Sequence, residues 1–268
     1  MSFIAIDDRE FLQFQRFIYD RAGITLSSTK KALVSGRLAK RVRQLQLDSY
    51  ADYLELLASG QAQAEVQTAI DLLTTNETYF FRESKHFEFL RELCQARAPN
   101  SEPMRVWSAA CSTGEEPYSI AMVLADLMSR ERWEVLSTDI SSRVLERARV
   151  GHYPMERARD IPADYLKRFC LKGIKGQEGT LLVERALRQR VQFMHANLNE
   201  QLPQIGMFDV VFLRNVMIYF SGDTKRQVVS RVVSQLKRGG HLFIGHSESL
   251  HDINSDVQQI RPAVYRKP

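Results

Sequence analysis

Cysteine is scarce: Cys94, Cys111 and Cys170 are three in 268 residues, too scattered for a disulfide framework or a zinc site, so no metal is expected. No apolar run approaches the ~18 residues that cross a bilayer. The opening MSFIAIDDREFLQFQ lacks the basic and apolar regions of a secretory signal. Neither sign of charge dominates, since 37 basic and 32 acidic side chains leave a formal net charge of +5. That balance permits a nucleic-acid partner without demanding one. What is present is 44% apolar and 26% charged residues, which suits a folded chain and excludes a disordered one. A soluble, cytoplasmic protein of one large or two modest domains is expected.

Residues 1–75 read as four short helices with no strand signal. Asp8 is placed to cap the first, which carries Phe11, Phe14, Phe17 and Ile18 on one face and ends at Gly23. Ser28 is placed to cap the second, with Leu33, Val34, Leu38, Val42 and Leu45 at helical spacing. Ser49 opens a third, and a fourth runs over 63–73. The segment TTNETYFFRES (74–84) breaks the helical period, and a helix over about 86–98 completes a linker spanning 76–98. From residue 105 strands and helices alternate. RVWSAA, WEVLSTD, FDVVFLRN and HLFIGHS read as strands; Glu115 to about Arg130, 141–150 and Thr224–Leu236 read as helices, the last ended by Gly239-Gly240. The alternation predicts an α/β domain over 99–268 built on a mostly parallel sheet. Residues 151–190 interrupt it: Pro162 starts a short helix, and TLLVER and RVQFMHAN read as strands of a small antiparallel β insertion.

Open α/β sheets bind ligands at the carboxyl ends of their strands, so the first strand-to-helix turn, SAACSTGEEPYS (108–119), is the place to look. Its small residues and Gly114 allow close backbone approach, yet the dinucleotide fingerprint G-x-G-x-x-G is absent. Glu115 and Glu116 would repel a pyrophosphate and suit a ligand with a cationic end, unless they only complement a helix N-terminus. Asp139 ends the second strand, where an acid accepts from two ribose hydroxyls or caps the next helix. Together the two features point to a nucleoside with an amino group and no pyrophosphate, and S-adenosylmethionine is the common molecule of that kind. Elsewhere, Ser28–Leu47 holds six basic residues and no acid; Lys30, Arg37 and Arg41 form a stripe with Lys40 beside it.

Six blocks, TTNETYFFRE (74–83), VWSAACSTGEEPYSIA (106–121), STDIS (138–142), ANL (196–198), RNVMIYF (214–220) and GHSES (245–249), resemble in order the signature blocks of the CheR family. The resemblance covers nearly the whole chain. It implies a Rossmann-like S-adenosylmethionine-dependent methyltransferase with a small N-terminal all-helical domain and a small antiparallel β insertion. It also implies the activity: esterification of glutamate side chains on chemoreceptors in sensory adaptation, with S-adenosylhomocysteine as product. By the same resemblance Asn76, Thr78 and Arg82 close over the cofactor, Glu116 faces its methionyl end and Asp139 its ribose. Asn197 and Leu198 border the adenine, and Leu213, Arg214 and Asn215 line the floor.

Arg82 and Tyr219 are the implied catalytic side chains, the first holding a carboxylate and the second donating a hydrogen bond. No general base is required, because a glutamate with a pKa of about 4.3 is already ionised near neutrality. The implied partners are the acidic methylation helices of membrane chemoreceptors, to which the enzyme is recruited. Lys30, Arg37, Lys40 and Arg41 offer a docking stripe, and the β insertion a strand edge for a receptor C-terminal peptide. Cys111 departs from the pattern and is expected to be neutral packing. A nucleic-acid substrate is disfavoured, since no N-P-P-Y-like tetrad replaces LRNVMIYF. A binding-only module is opposed by the presence of both Arg82 and Tyr219.

Overall fold

A computed structural model describes residues 5–98, 101–129, 132–253 and 256–268. The N-terminal part is helical: α1 (Asp8–Ala22), α2 (Lys31–Gln44), α3 (Tyr50–Ala58) and α4 (Gln63–Leu73). Asp7, rather than Asp8, caps α1, because only Asp7 has a glutamate three residues on. Its carboxylate accepts from Glu10 N, and Glu10 accepts from Asp7 N. Gly23, at φ 70°, ends the helix in a left-handed turn. Ser28 caps nothing; it lies in one 3-10 turn before α2. Ser49 and Asp52 form the capping box of α3. Phe14, Ile18, Val34, Leu38, Tyr50 and Tyr53 are fully buried where the helices meet.

The remaining elements are α5 (Lys85–Gln95), β1 (Met104–Ser108), α6 (Glu115–Leu127), β2 (Trp133–Asp139), α7 (Ser142–Val150), β3 (His152–Pro154), α8 (Ala163–Phe169), β4 (Cys170–Lys172), β5 (Thr180–Val183), α9 (Arg185–Arg188), β6 (Val191–His195), β7 (Phe208–Leu213), α10 (Gly222–Ser234), β8 (Leu236–Ile244), β9 (Gln258–Arg261) and β10 (Val264–Arg266). The main sheet runs β6-β2-β1-β7-β8-β10-β9, parallel from β6 to β8 and antiparallel at β10. Its central strands are buried on both faces, Trp107, Val135, Val211 and Phe243 all being inaccessible. Strand order reverses at β1, which is flanked by β2 on one side and β7 on the other, so a cleft opens at their carboxyl ends.

The insertion is a separate antiparallel sheet, β3-β5-β4. RVQFMHAN does not belong to it. Val191–His195 pairs in parallel with Val135–Asp139 and covers an edge of β2 that would otherwise expose unpaired backbone. Gly239-Gly240 do not end α10 but lie inside β8, where a Cβ on Gly240 would sit 2.9 Å from the Lys237 carbonyl oxygen. Strands β9 and β10 had no counterpart in the sequence reading. An isolated antiparallel bridge, Ile24 to Phe220, joins the helical part to the loop after β7. The helix end expected at Arg130, the boundary expected at 99 and the first four residues lie outside the described residues. No helix among the described residues is long and apolar enough to cross a membrane.

Candidate active site

The cleft has a volume of about 500 Å³ and is roofed by the segment after α4 and by the turn between α1 and α2. Its base is the turn after β1. Gly114 takes φ 97°, and a Cβ there would lie 2.8 Å from both Ala148 Cβ and Tyr153 Oη, so only glycine fits. The turn is fixed to β2 through Asp139: Ser112 N donates to Oδ2 at 2.8 Å and Ser141 N to Oδ1 at 2.9 Å. Ser141, not Asp139, caps α7. Each Asp139 oxygen has capacity for a further donor, and the residue lines the cleft. Burial pushes its carboxyl pKa up, against the two N–H donors. The Ser112 hydroxyl donates to the Asn76 carbonyl at 3.0 Å, which ties the roof to the base.

Glu115 and Glu116 do not act as a pair. Neighbours on a helix point about 100° apart, so one turns inward and one reaches the cleft. Glu115 is fully buried and accepts from Thr113 (2.6 Å) and Arg157 (3.0 Å). Glu116 lines the cleft and accepts from the Ser108 hydroxyl at 2.6 Å and from Arg214 at 3.1 Å. Burial raises its pKa, opposed by Arg214 and Ser108.

Arg214 organises the floor. Its side chain is 1% exposed, lies over Phe87 and Phe212, and stands 3.1 Å from both Glu83 and Glu116 while donating to the Arg82 carbonyl. Asn215 follows in a left-handed conformation, φ 55°. That turn is held by Glu248, which accepts from Gly245 N (2.7 Å), Asn215 N (2.9 Å) and Met217 N (2.9 Å). Leu213, expected on the floor, is instead packed among Val228, Val229 and Val232 of α10; strand alternation sends Arg214 to the cleft and Leu213 away from it.

The other expected cofactor residues line the cleft with differing freedom. Asn76 and Thr78 sit in the roof; Asn76 donates to Thr74 Oγ1. Leu198 is buried beside Asn197. The Asn197 amide is largely committed to the protein: its nitrogen donates to the Arg21 carbonyl and to Glu200, and its oxygen accepts from Asn199 N. It anchors the end of α1 to the loop after β6. Arg82 donates to the Glu77 carbonyl at 3.0 Å, and its guanidinium lies 5.8 Å from the Tyr79 ring centre. Tyr219 lines the same end of the cleft; burial raises its phenol pKa, opposed by Arg82 and Arg37.

The basic stripe is not one free surface. Lys30 and Lys40 are exposed. Arg37 reaches the cleft wall and donates to the carbonyls of Leu73 (2.8 Å) and Thr74 (3.0 Å) and to Thr75 Oγ1. Arg41 grips Glu65 of α4 with two N–H groups, and Tyr53 donates to the same carboxylate at 2.6 Å. The acid missing from α2 is supplied by α4.

Glu83 and Glu248 escaped the sequence reading. Both lie within quoted blocks, but their partners are distant in the chain. Glu83, His86 and His246 bring donor atoms within 4.8 Å of one another. The Arg214 cation already faces that carboxylate, so the set suits a guanidinium better than a metal ion. The Cys111 thiol is buried and its pKa raised by that burial, as packing requires.

The donor set fits S-adenosylmethionine: an anionic group at each of two separated points, a left-handed glycine turn between them, and room for a nucleoside. Comparison with known proteins agrees. Residues 9–74 match the family described as CheR methyltransferase, all-alpha domain, and residues 76–265 match CheR methyltransferase, SAM binding domain. A chemotaxis protein methyltransferase of Salmonella typhimurium is 44% identical over 265 residues, 98% of this chain and 91% of the relative. One from Escherichia coli K12 is 44% identical over 249 residues, 92% and 86% of the two chains. Chemotaxis protein methyltransferase 2 of Pseudomonas aeruginosa is 40% identical over 259 residues, 96% and 92%.

Proposed function

The chain belongs to the CheR methyltransferase family and uses S-adenosylmethionine, and from that premise we propose that it methylates glutamate side chains of chemoreceptors to give methyl esters. The observation that carries the reading is the charge around the reacting end of the cleft. Arg82 and Arg37 line the cleft with Tyr219 and act on its phenol against the carboxylates Glu77 and Glu248, and no histidine or cysteine lines the cleft among the described residues. Such a setting suits an acceptor that arrives as an anion and needs no base.

S-adenosylmethionine supplies a sulfonium-activated methyl group. Glu116 would hold its ammonium group, Asp139 its ribose hydroxyls, and Asn76, Thr78, Asn197, Leu198, Arg214 and Asn215 the surrounding wall. Arg82 keeps N–H groups free beyond the one given to Glu77, so it can fix a carboxylate in a charge-assisted pair. The Tyr219 hydroxyl donates to the same acceptor and orients one oxygen for in-line attack. Their joint contribution is alignment and partial dehydration of an ionised carboxylate.

Docking fits the same acceptor. Lys30 at the rim and exposed Lys40 present positive charge toward an acidic helix, with Arg37 linking α2 to the roof. The outer edges of β3 and β4 can accept an extended receptor C-terminal peptide. The enzyme then acts in the cytoplasm, recruited to membrane receptors. Incubating a receptor cytoplasmic fragment with enzyme and S-adenosylmethionine, then mapping the modified peptides, tests the reading. Methyl groups on glutamates, lost when those glutamates are changed to glutamine, are expected. Methyl groups on lysine or on co-purified nucleic acid would overturn it.

A further inference from the structure

Arg214 is a buried cation placed between two carboxylates, only one of which faces the cleft. Glu116 lines the cleft; Glu83 lies behind it, 3.1 Å from the guanidinium, and does not line it. Glu83 is held by hydrogen bonds at one oxygen and by charge alone at the other. One oxygen accepts from Asn215 Nδ2 and from His246 N, both at 3.2 Å, and the other faces Arg214 and lies 3.5 Å from His86 Nδ1. His86 is neutral, since burial and the neighbouring Arg214 push its pKa down to about 3. Burial raises the Glu83 pKa, yet Arg214, Asn215 and His246 outweigh it and keep the carboxyl ionised.

We infer that Glu83 is the dedicated counter-ion of Arg214, and that it thereby leaves the charge of Glu116 available to the ammonium group of the cofactor. The charges decide the matter. Glu83 and Glu116 supply two carboxylates for two cations, the Arg214 guanidinium 3.1 Å from each and the incoming ammonium. With Glu83 uncharged, Glu116 alone must serve both the Arg214 guanidinium and the ammonium, while the carboxylate on the same end of the ligand lies beyond this pair of cations. Buried unpaired charge is strongly disfavoured. Glu83 is a positioning residue in this scheme: it touches no ligand and acts through Arg214. The scheme rests on Glu116 facing the methionyl end, and it does not depend on which acceptor is methylated.

Two ligands separate a charge role from a merely structural one. S-adenosylhomocysteine carries the amino-acid end, and 5′-methylthioadenosine shares the nucleoside but lacks that end. Titration calorimetry with both would compare the wild type with Glu83→Gln, Glu83→Asp and Glu116→Gln. In Glu83→Gln the introduced amide oxygen can still accept from Asn215 and His246, so the fold should survive. Loss of one charge-assisted interaction predicts about tenfold or more weaker S-adenosylhomocysteine binding by Glu83→Gln. Binding of 5′-methylthioadenosine should stay within about twofold. Glu83→Asp, which keeps the charge, should retain most of the preference and answers the question if Glu83→Gln fails to fold. Equal weakening of both ligands, or no weakening of either, would overturn the inference. If Glu116→Gln loses no selectivity, the placement of Glu116 falls and the inference with it. If Glu116→Gln is selective and Glu83→Gln is not, the inference alone fails.

Discussion

Replacing Glu248 by glutamine should loosen the loop that carries Asn215 and Tyr219 without removing any group that meets a ligand. The Glu248 carboxylate accepts from Gly245 N at 2.7 Å and from Asn215 N and Met217 N at 2.9 Å, with Ile218 N as a further donor. A glutamine keeps an acceptor on one arm and turns an NH₂ toward donors on the other, leaving one or two partly buried N–H groups unsatisfied. Each such group costs about 1–3 kcal/mol. Relief of the buried charge offsets part of this, because burial raises the Glu248 pKa despite its four donors. A net loss of about 3 kcal/mol follows, which for a chain of this size lowers Tm by about 6–12 °C. Thermal unfolding with and without S-adenosylhomocysteine would measure it, and turnover should fall because Tyr219 is displaced. A shift under about 2 °C would refute the argument that Glu248 holds this turn.

Gly114→Ala places a Cβ 2.8 Å from Ala148 Cβ and Tyr153 Oη at φ 97°, so it should cost about 3 kcal/mol and weaken cofactor binding, read by denaturant melts and calorimetry. Affinity for S-adenosylhomocysteine should fall on acidification. The pKa values of Glu116 and Asp139 are raised by burial, so each takes a proton above the ordinary carboxylate range, and the role proposed for Glu116 toward the ammonium requires it ionised. The same shift makes the ligand-free fold lose stability as pH rises from the ordinary carboxylate value through the raised one. Calorimetry across that range checks the affinity, which Glu116→Gln should flatten. Arg41→Gln leaves the Glu65 carboxylate, only 10% exposed, without its cation and with Tyr53 as a remaining donor, and should lower stability by about 2–3 kcal/mol with cofactor affinity unchanged. Unchanged stability with lost receptor methylation would return Arg41 to the docking surface.

Elements set by local rules were legible in the sequence, and those set by distant partners were not. The box at Ser49, the span of α4 and the strand WEVLSTD follow from capping chemistry and hydrophobic period alone. Asp7 carried a readable signal too, since the spacing to Glu10 distinguishes it from Asp8. The divergence of Glu115 and Glu116 is likewise contained in the helical repeat. No local pattern could say that Arg214 meets Glu83, that Arg41 meets Glu65 across two helices, or that Asn197 is held by Arg21. Those pairings arise from packing of elements far apart in the chain. The pairing of β6 with β2 is hidden for a related reason, because a short strand after an insertion gives no sign of which sheet it joins.

In the proposed reaction the methyl group ends on a carboxylate. Enzyme, receptor-containing membranes and S-adenosylmethionine labelled in its methyl group would be incubated, and the protein-bound label exposed to mild base. Release of the label as methanol is predicted, since a glutamate methyl ester hydrolyses under those conditions. Label that stays on the protein through base treatment would contradict the account and point to transfer to nitrogen instead.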